Sequence, residues 1–206
     1  MKLAIFDFDG TIIKENAGFR WTLIMLYKFS LKSLFIGLLY VIRICSYDVW
    51  IKNVICDLKN ESVIENMNYY KRHLKNLPKF KYNKNVIKKL INLSKNGYKI
   101  VIITQSIDFS VSDYVKNLEK DFNVKVNKLY CTKTIIKNDR FTNVISLVGK
   151  NKYKYFKNVD LNESYFFTDS SRDQNLLEKV KYAFVVNPNP MFWLKAKIKG
   201  WEVIKD

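Results

Sequence analysis

Histidine is nearly absent: among 206 residues there is one, His73. It lies in a polar helical stretch, where a surface imidazole is the ordinary reading. A Ser-His-Asp hydrolase or a histidine-ligated zinc enzyme is therefore disfavoured. Cysteine is scarce as well. Cys45, Cys56 and Cys131 are odd in number and lack metal-type spacing, which points to reduced thiols in a cytoplasmic protein. No Gly/Ser-rich linker, internal repeat or low-complexity tract divides the chain, beyond a general bias to Lys, Asn and Tyr. Only the four apolar residues Leu3–Phe6 precede the first acidic residues, too few for a signal peptide. Acidic residues are the other shortage: 19 Asp and Glu stand against 36 Lys and Arg, a formal charge of +17. Such a field draws anions, although dispersed lysines also serve solubility. Zinc-finger spacing, an aromatic RNA-binding signature and a compact Arg-rich run are all missing, which argues against nucleic acid. A small phosphorylated anion suits the chain better.

What is present begins at the N-terminus, with Leu3-Ala-Ile-Phe-Asp7-Phe-Asp9-Gly10-Thr11. The short apolar run reads as a buried strand stopped by Gly10. Asp7 and Asp9 would point the same way if the strand continued that far. Like charges that close repel unless a cation or shared proton intervenes, and Mg2+ prefers one or two carboxylates plus substrate phosphate. In isolation an acidic strand-to-turn junction would look the same. Three further stretches follow: Val101-Ile-Ile-Thr104, Gly149-Lys150-Asn151-Lys152, and Tyr165-Phe-Phe-Thr-Asp169 with Asp173 four residues on. Each falls at or just after a strand end, where the crevice of an open α/β sheet gathers ligands.

In this order the motifs resemble the haloacid dehalogenase superfamily of phosphohydrolases, most of all its phosphoserine-phosphatase-like branch. The stretch Asp169-Ser-Ser-Arg-Asp173-Gln-Asn-Leu-Leu-Glu, then Val186-Asn-Pro188-Asn-Pro190 and Gly200-Trp201, is similar to that branch's C-terminal end. The likeness covers Met1–Thr11 and, more loosely, Lys99–Asp206. It implies an α/β fold, a Rossmann-like doubly wound parallel sheet formed by residues 1–14 and 79–206, with residues 15–78 inserted as a helical cap. It implies that Asp7 attacks phosphorus and that Asp9 protonates the leaving alkoxide and then activates water. Mg2+ would be held by Asp7, the backbone carbonyl of Asp9 and Asp169, with Asp173 supporting the metal or orienting Lys152. Thr104 and Lys152 would hold phosphoryl oxygens, with Gly10, Thr11 and Gln105 beside them. Lys150 competes for the lysine role, and the family spacing Gly-x-x-Lys favours Lys152.

Departures from the pattern bear on the substrate. Phosphoserine phosphatases carry a Glu nine residues after the nucleophile, where this chain has Asn16 with Glu15 beside it. No Arg is assignable to a substrate carboxylate, Arg43 and Arg72 being the candidates. Asn175 stands where many relatives have Pro. The expected activity is thus hydrolysis of a phosphomonoester other than free phosphoserine, such as a phosphorylated amino alcohol, sugar or nucleotide-sugar adduct. The dehalogenating members need no acid two residues after the nucleophile, so Asp9 favours phosphate esters. A phosphotransferase or phosphomutase using the same Asp7 is the alternative, as is a noncatalytic module binding a membrane surface or a protein.

The expected elements after the insertion are a helix near Val86–Lys95, strands at Lys99–Ile103, Val124–Cys131, Tyr165–Thr168 and Ala183–Val186, and helices near Asp113–Asp121, Tyr153–Lys157 and Asp173–Lys179. A hairpin around Asn138-Asp139 is expected within Lys137–Ser146. The insertion itself is mostly apolar from Phe19 to Ile44, and its longest uncharged run, Ser33–Ile42, is ten residues, too short to span a bilayer. As a single helix it would place Arg20, Lys28, Lys32 and Arg43 within roughly 140° at ~100° per residue. Burial against the core, or against a second copy in a homodimer, is the simpler reading. Contact with a membrane surface is the alternative.

Overall fold

The computed structural model describes residues 2–42, 44–145 and 149–206, the side chains of 149–151 excepted. Arg43, Ser146 and the Lys150 side chain lie outside that description. Seven strands form one sheet: β1 (Leu3–Phe6), β2 (Lys99–Ile107), β3 (Val126–Lys137), β4 (Arg140–Ile145), β5 (Tyr165–Thr168), β6 (Tyr182–Val186) and β7 (Glu202–Ile204), in the order β4-β3-β2-β1-β5-β6-β7. Every pairing is parallel except β3–β4, the hairpin expected around Asn138-Asp139. Both turn residues take positive φ, which Asn and Asp tolerate better than most. The doubly wound parallel sheet expected from the sequence is the observed architecture.

Alternation along the strands splits the core into two layers. Ala4, Phe6, Ile100, Ile102, Phe167 and Phe184 face one side, where α5 (Lys84–Lys95) and α6 (Asp108–Phe122) contribute Val86, Leu90, Val111 and Leu118. Leu3, Ile5, Val101, Ile103, Phe166 and Val185 face the other, against Leu176 and Leu177 of α7 (Gln174–Leu177) and Phe192 and Ala196 of α8 (Pro190–Lys199). Phe6, Phe167 and Phe184 stack across three adjacent strands, with centroids 4.5 Å apart in each pair. Burying a side chain of this size contributes about 1.5–3 kcal/mol, and stacking locks the register that brings the ends of β1 and β5 level.

Between β1 and α5 the described residues form four α-helices: α1 (Ala17–Met25), α2 (Leu31–Val41), α3 (Tyr47–Asp57) and α4 (Val63–Leu74). The greasy segment is not one helix. A 3-10 turn at Leu26–Lys28 ends α1, and Ser30 starts α2 by accepting from Ser33 N–H while its own N–H and hydroxyl donate to Asp57. That break removes the cationic stripe a continuous helix would have carried. Lys28 instead turns inward to Glu61 and Asn66. The inserted helices have their own core, Trp21, Met25, Ile51, Val54 and Ile55, and the β3–β4 hairpin completes it with Phe141 and Val144. Burial against the core, expected for the greasy segment, fails for α2. Its one buried residue is Ser33, while Leu31, Leu34, Phe35, Leu38 and Val41 are exposed. No described helix is long and apolar enough to cross a membrane.

Candidate active site

β1 stops at Phe6, yet the Asp7 N–H still donates to Phe167 O, so the chain stays level with β5 for one more residue. Asp9 then lies in a short bridge to Ile13. Between them the turn passes Gly10 at φ +70°, and a Cβ built there would sit 2.2 Å from Asp169 Oδ2. Glycine is needed both for the backbone and for that approach. Gly10→Ala should displace the Asp169 carboxylate and cut kcat/KM by at least about 10-fold while the protein stays folded. Paired kinetics and circular dichroism would check this, and wild-type kinetics would refute the close approach.

Asp7, Asp9, Thr104, Gln105, Lys152, Asp169 and Asp173 line one cavity of about 480 Å³ at the carboxyl ends of β1, β2 and β5. Lys152 comes from a 3-10 helix, Gly149–Phe156, where a helix near Tyr153–Lys157 was expected. Its ammonium is buried between Asp7 Oδ1 at 3.0 Å and Asp173 Oδ2 at 2.7 Å. Burial alone would lower the Lys152 pKa, but the two carboxylates outweigh it and push it up. Asp7 Oδ1 also accepts from the Phe8 N–H at 2.9 Å. The Thr168 hydroxyl donates to Asp173 Oδ2 at 2.7 Å and lies 3.4 Å from Asp7 Oδ2.

Asp9 is held by three donors. Ala17, at the free N-terminal end of α1, gives its N–H to Oδ1 at 2.5 Å, and Oδ2 accepts from Thr104 Oγ1 at 3.0 Å and Ser106 Oγ at 2.6 Å. β2 runs past Thr104, and the register irregularity between Ile103 and Ile107 accompanies this extension. Thr104 is thus fully buried behind Asp9, where it grips the carboxylate. Burial is the main cause of a raised Asp9 pKa, which these hydrogen bonds oppose.

Thr11 is buried beneath the loop; its Oγ1 accepts from the Asp169 N–H at 2.9 Å and lies 3.4 Å from Asp169 Oδ1. Gly10 and Thr11 therefore shape the position of Asp169 rather than lining the cavity. Gln105 lines it, and its backbone carbonyl accepts from the Tyr47 and Thr132 hydroxyls. Asn16 lines the cavity as the cap of α1, accepting from Phe19 N–H at 2.7 Å. Arg72 is exposed on α4, outside the cavity lining. Ser106, Thr168 and Arg172 were not anticipated. Ser106 had a readable signal, since it stands two residues after Thr104 on a strand.

The carboxylates fit a cation. Asp7 is raised well above the usual carboxylate range, by burial first and then by Asp173 and Asp169 acting against Lys152. Asp169 is pushed up to about 6, mainly by burial, with Asp173 and Asp9 adding repulsion. Asp173 Oδ1 is buried without a hydrogen-bond partner. An orphan oxygen beside disfavoured negative charge asks for a hard cation. Among the described residues no three His, Cys, Asp or Glu side chains already converge on one point. Mg2+ does not require that, because it keeps several waters and takes one or two carboxylates.

The haloacid dehalogenase-like hydrolase family matches residues 4–178, and the chain belongs to that family. No curated protein matches the sequence. Among solved structures, a protein of unknown function from Bordetella pertussis Tohama I is similar with a TM-score of 0.81 and 18% identity, over 98% of this chain and 97% of that one. A substrate-bound phosphoserine phosphatase complex is similar at 0.64 and 15%, over 98% and 92%. A phosphoserine phosphohydrolase-like protein from Francisella tularensis subsp. tularensis SCHU S4 is similar at 0.57 and 18%, over 99% and 95%. At these identities the likeness is one of fold.

Proposed function

We infer that the chain is a Mg2+-dependent phosphomonoesterase working through an aspartyl-phosphate, with the inserted helices as its cap. The observation that carries this reading is the convergence of Asp7, Asp9, Lys152, Asp169 and Asp173 on one cavity, with Lys152 buried between Asp7 and Asp173. An Asp7 oxygen attacks phosphorus as the bond to the leaving oxygen breaks, and Asp9 gives that oxygen its proton. Ionised Asp9 then takes a proton from water, whose oxygen attacks the phosphoryl group and frees phosphate and Asp7. Asp9 suits both steps: its raised pKa favours holding a proton, and its three donors stabilise the carboxylate left behind. Lys152 offsets charge on Asp7 and on the phosphoryl oxygens, and Thr168 and Asp173 fix its place. Asp7, Asp169 and the Asp9 carbonyl would hold Mg2+, with Asp173 Oδ1 behind; the ion would offset repulsion between carboxylate and phosphate.

The substrate is something other than free phosphoserine. Asn16 replaces the expected Glu, and its side-chain oxygen is engaged in capping α1. The test is phosphate release from a panel of phosphomonoesters with Mg2+ or EDTA. Turnover that survives EDTA would overturn the metal requirement. The metal should also compete with a proton. Asp169, folded at about 6 without metal, and Asp7, raised by burial, must both ionise to bind it, so apparent Mg2+ affinity should fall as pH drops, by at least about tenfold per pH unit below about pH 6. Mg2+-induced rise in Tm across pH would measure this, and a flat profile would remove Asp169 from the metal site.

A further inference from the structure

We propose that the substrate is an amphiphilic phosphomonoester, a phosphate head on a long apolar tail, taken from a lipid bilayer; this rests on the phosphatase reading of the same site. The cavity does not end at the carboxylates. It continues between the inserted helices, where Trp21, Phe29, Trp50 and Ile51 wall it and Leu34 and Val41 form its rim. Its charged lining residues, Asp7, Asp9, Lys152, Asp169, Arg172 and Asp173, all come from the sheet side, and the described residues of the inserted helices contribute none. Thr22, Ser33, Tyr40 and Tyr47 add uncharged polar groups among the apolar ones, but a phosphorylated amino acid would find no countercharge for its own charged groups on this side, at a cost in desolvation. An alkyl tail loses nothing there and gains from leaving water. Gly37 shapes this channel: a Cβ at that position would lie 2.9 Å from Trp50 Nε1, so the missing side chain lets α2 approach the indole closely. The volume of about 480 Å³ is that of a ligand pocket.

The rim leads to the bilayer. Leu34 and Val41 both line the cavity and are exposed, with Val41 at 72%. On the same helix Leu31 (86%), Phe35 (61%) and Leu38 (56%) are exposed and outside the cavity lining. α2 thus presents one apolar stripe outward and another into the channel, an arrangement suited to an interfacial helix. The formal charge of +17 complements an anionic lipid surface. A tail anchored in that surface could slide past the rim while its phosphate reaches Asp7.

The inference is tested with non-hydrolysable alkylphosphonates of four to twelve carbons, below their aggregation limit, titrated against the intrinsic fluorescence of Trp21 and Trp50. Affinity should rise about fourfold per methylene until the channel is filled, and Leu34→Gln should flatten the slope. Chain-length-independent affinity would overturn the proposal, even with p-nitrophenyl phosphate turned over. Steep dependence without turnover of any ester would uphold the tail site and overturn the phosphatase reading. For the bilayer route, the wild type should co-sediment with phosphatidylcholine vesicles containing phosphatidic acid. Phe35→Glu combined with Leu38→Glu should abolish this while leaving kcat on soluble octyl phosphate unchanged. Wild type that stays in the supernatant would overturn that route, and a dimer dispersed by the same pair would assign the stripe to a second copy of the chain.

Discussion

Asp7→Asn is expected to lower kcat for any phosphomonoester by at least about 10^3-fold, because an amide oxygen does not displace the leaving group. The same change should leave the fold intact, for a reason visible in the charges. Ionised Asp7 is disfavoured by burial and by Asp173 and Asp169, which raise its pKa. Lys152 keeps its 2.7 Å contact with Asp173 when the Asp7 charge goes. The amide oxygen introduced by the substitution can still accept from the Phe8 N–H, as Asp7 Oδ1 does. The metal-free variant should therefore melt no lower than wild type, and its stability should depend less on pH. A raised carboxyl pKa contributes stability below its unfolded value that is lost as pH rises through the folded value. Removing the carboxyl removes that loss. Residual turnover above about 1% at saturating Mg2+ would place the nucleophile elsewhere, and a large drop in Tm would mean that Asp7 is structural first.

The strand ends were the legible part of this chain. β1 and β5 were expected at Leu3–Phe6 and Tyr165–Thr168 and lie there, because a short apolar run closed by Asp and Gly has few other readings. Asp7, Asp9, Thr104, Lys152, Asp169 and Asp173 meet in one cavity because those runs are parallel neighbours around β1. What stayed hidden depended on tertiary pairing. β2 continues four residues past Ile103, so Thr104 and Ser106 both reach Asp9, and that extension accompanies irregular pairing with β3. Thr104 donates to Asp9 and also lines the cavity in which a role on phosphate was expected of it. α8 and β7 were missed although Asn189, Pro190 and Gly200 carry ordinary start and stop signals. The apolar segment was the least legible: for residues 19–44 the sequence left the core, a second copy or a membrane surface open, and α2 turns Leu31, Leu34 and Leu38 outward. Composition reports how greasy a helix is, and only packing reports which medium it faces.

Lys152→Met should damage stability and activity together, with a pH signature that separates it from simple loss of packing. Methionine has similar length, so the side chain can still fill the space, but the charge between Asp7 and Asp173 is gone. Removing one partner of a buried ion pair typically costs about 3–5 kcal/mol, because the remaining charges are left uncompensated. Lys152 is the largest influence holding the Asp7 pKa down against burial. Without it Asp7 should protonate still more readily in the folded state than in the unfolded chain. The metal-free variant should then regain Tm relative to wild type as pH falls from about 8 to about 5, the direction required when a folded carboxyl pKa is raised. Mg2+ should restore part of the loss at high pH, since a cation near Asp7 offsets the same repulsion. Lys152→Arg keeps the charge and should preserve most of the stability while lowering kcat about 10-fold or more, since a planar guanidinium does not place one compact donor between two carboxylates. Lys150→Met, two residues away, should leave both quantities near wild type. A Lys152→Met protein with wild-type melting at every pH would show that the ammonium does not govern these carboxyls, and the lysine role would pass to Lys150.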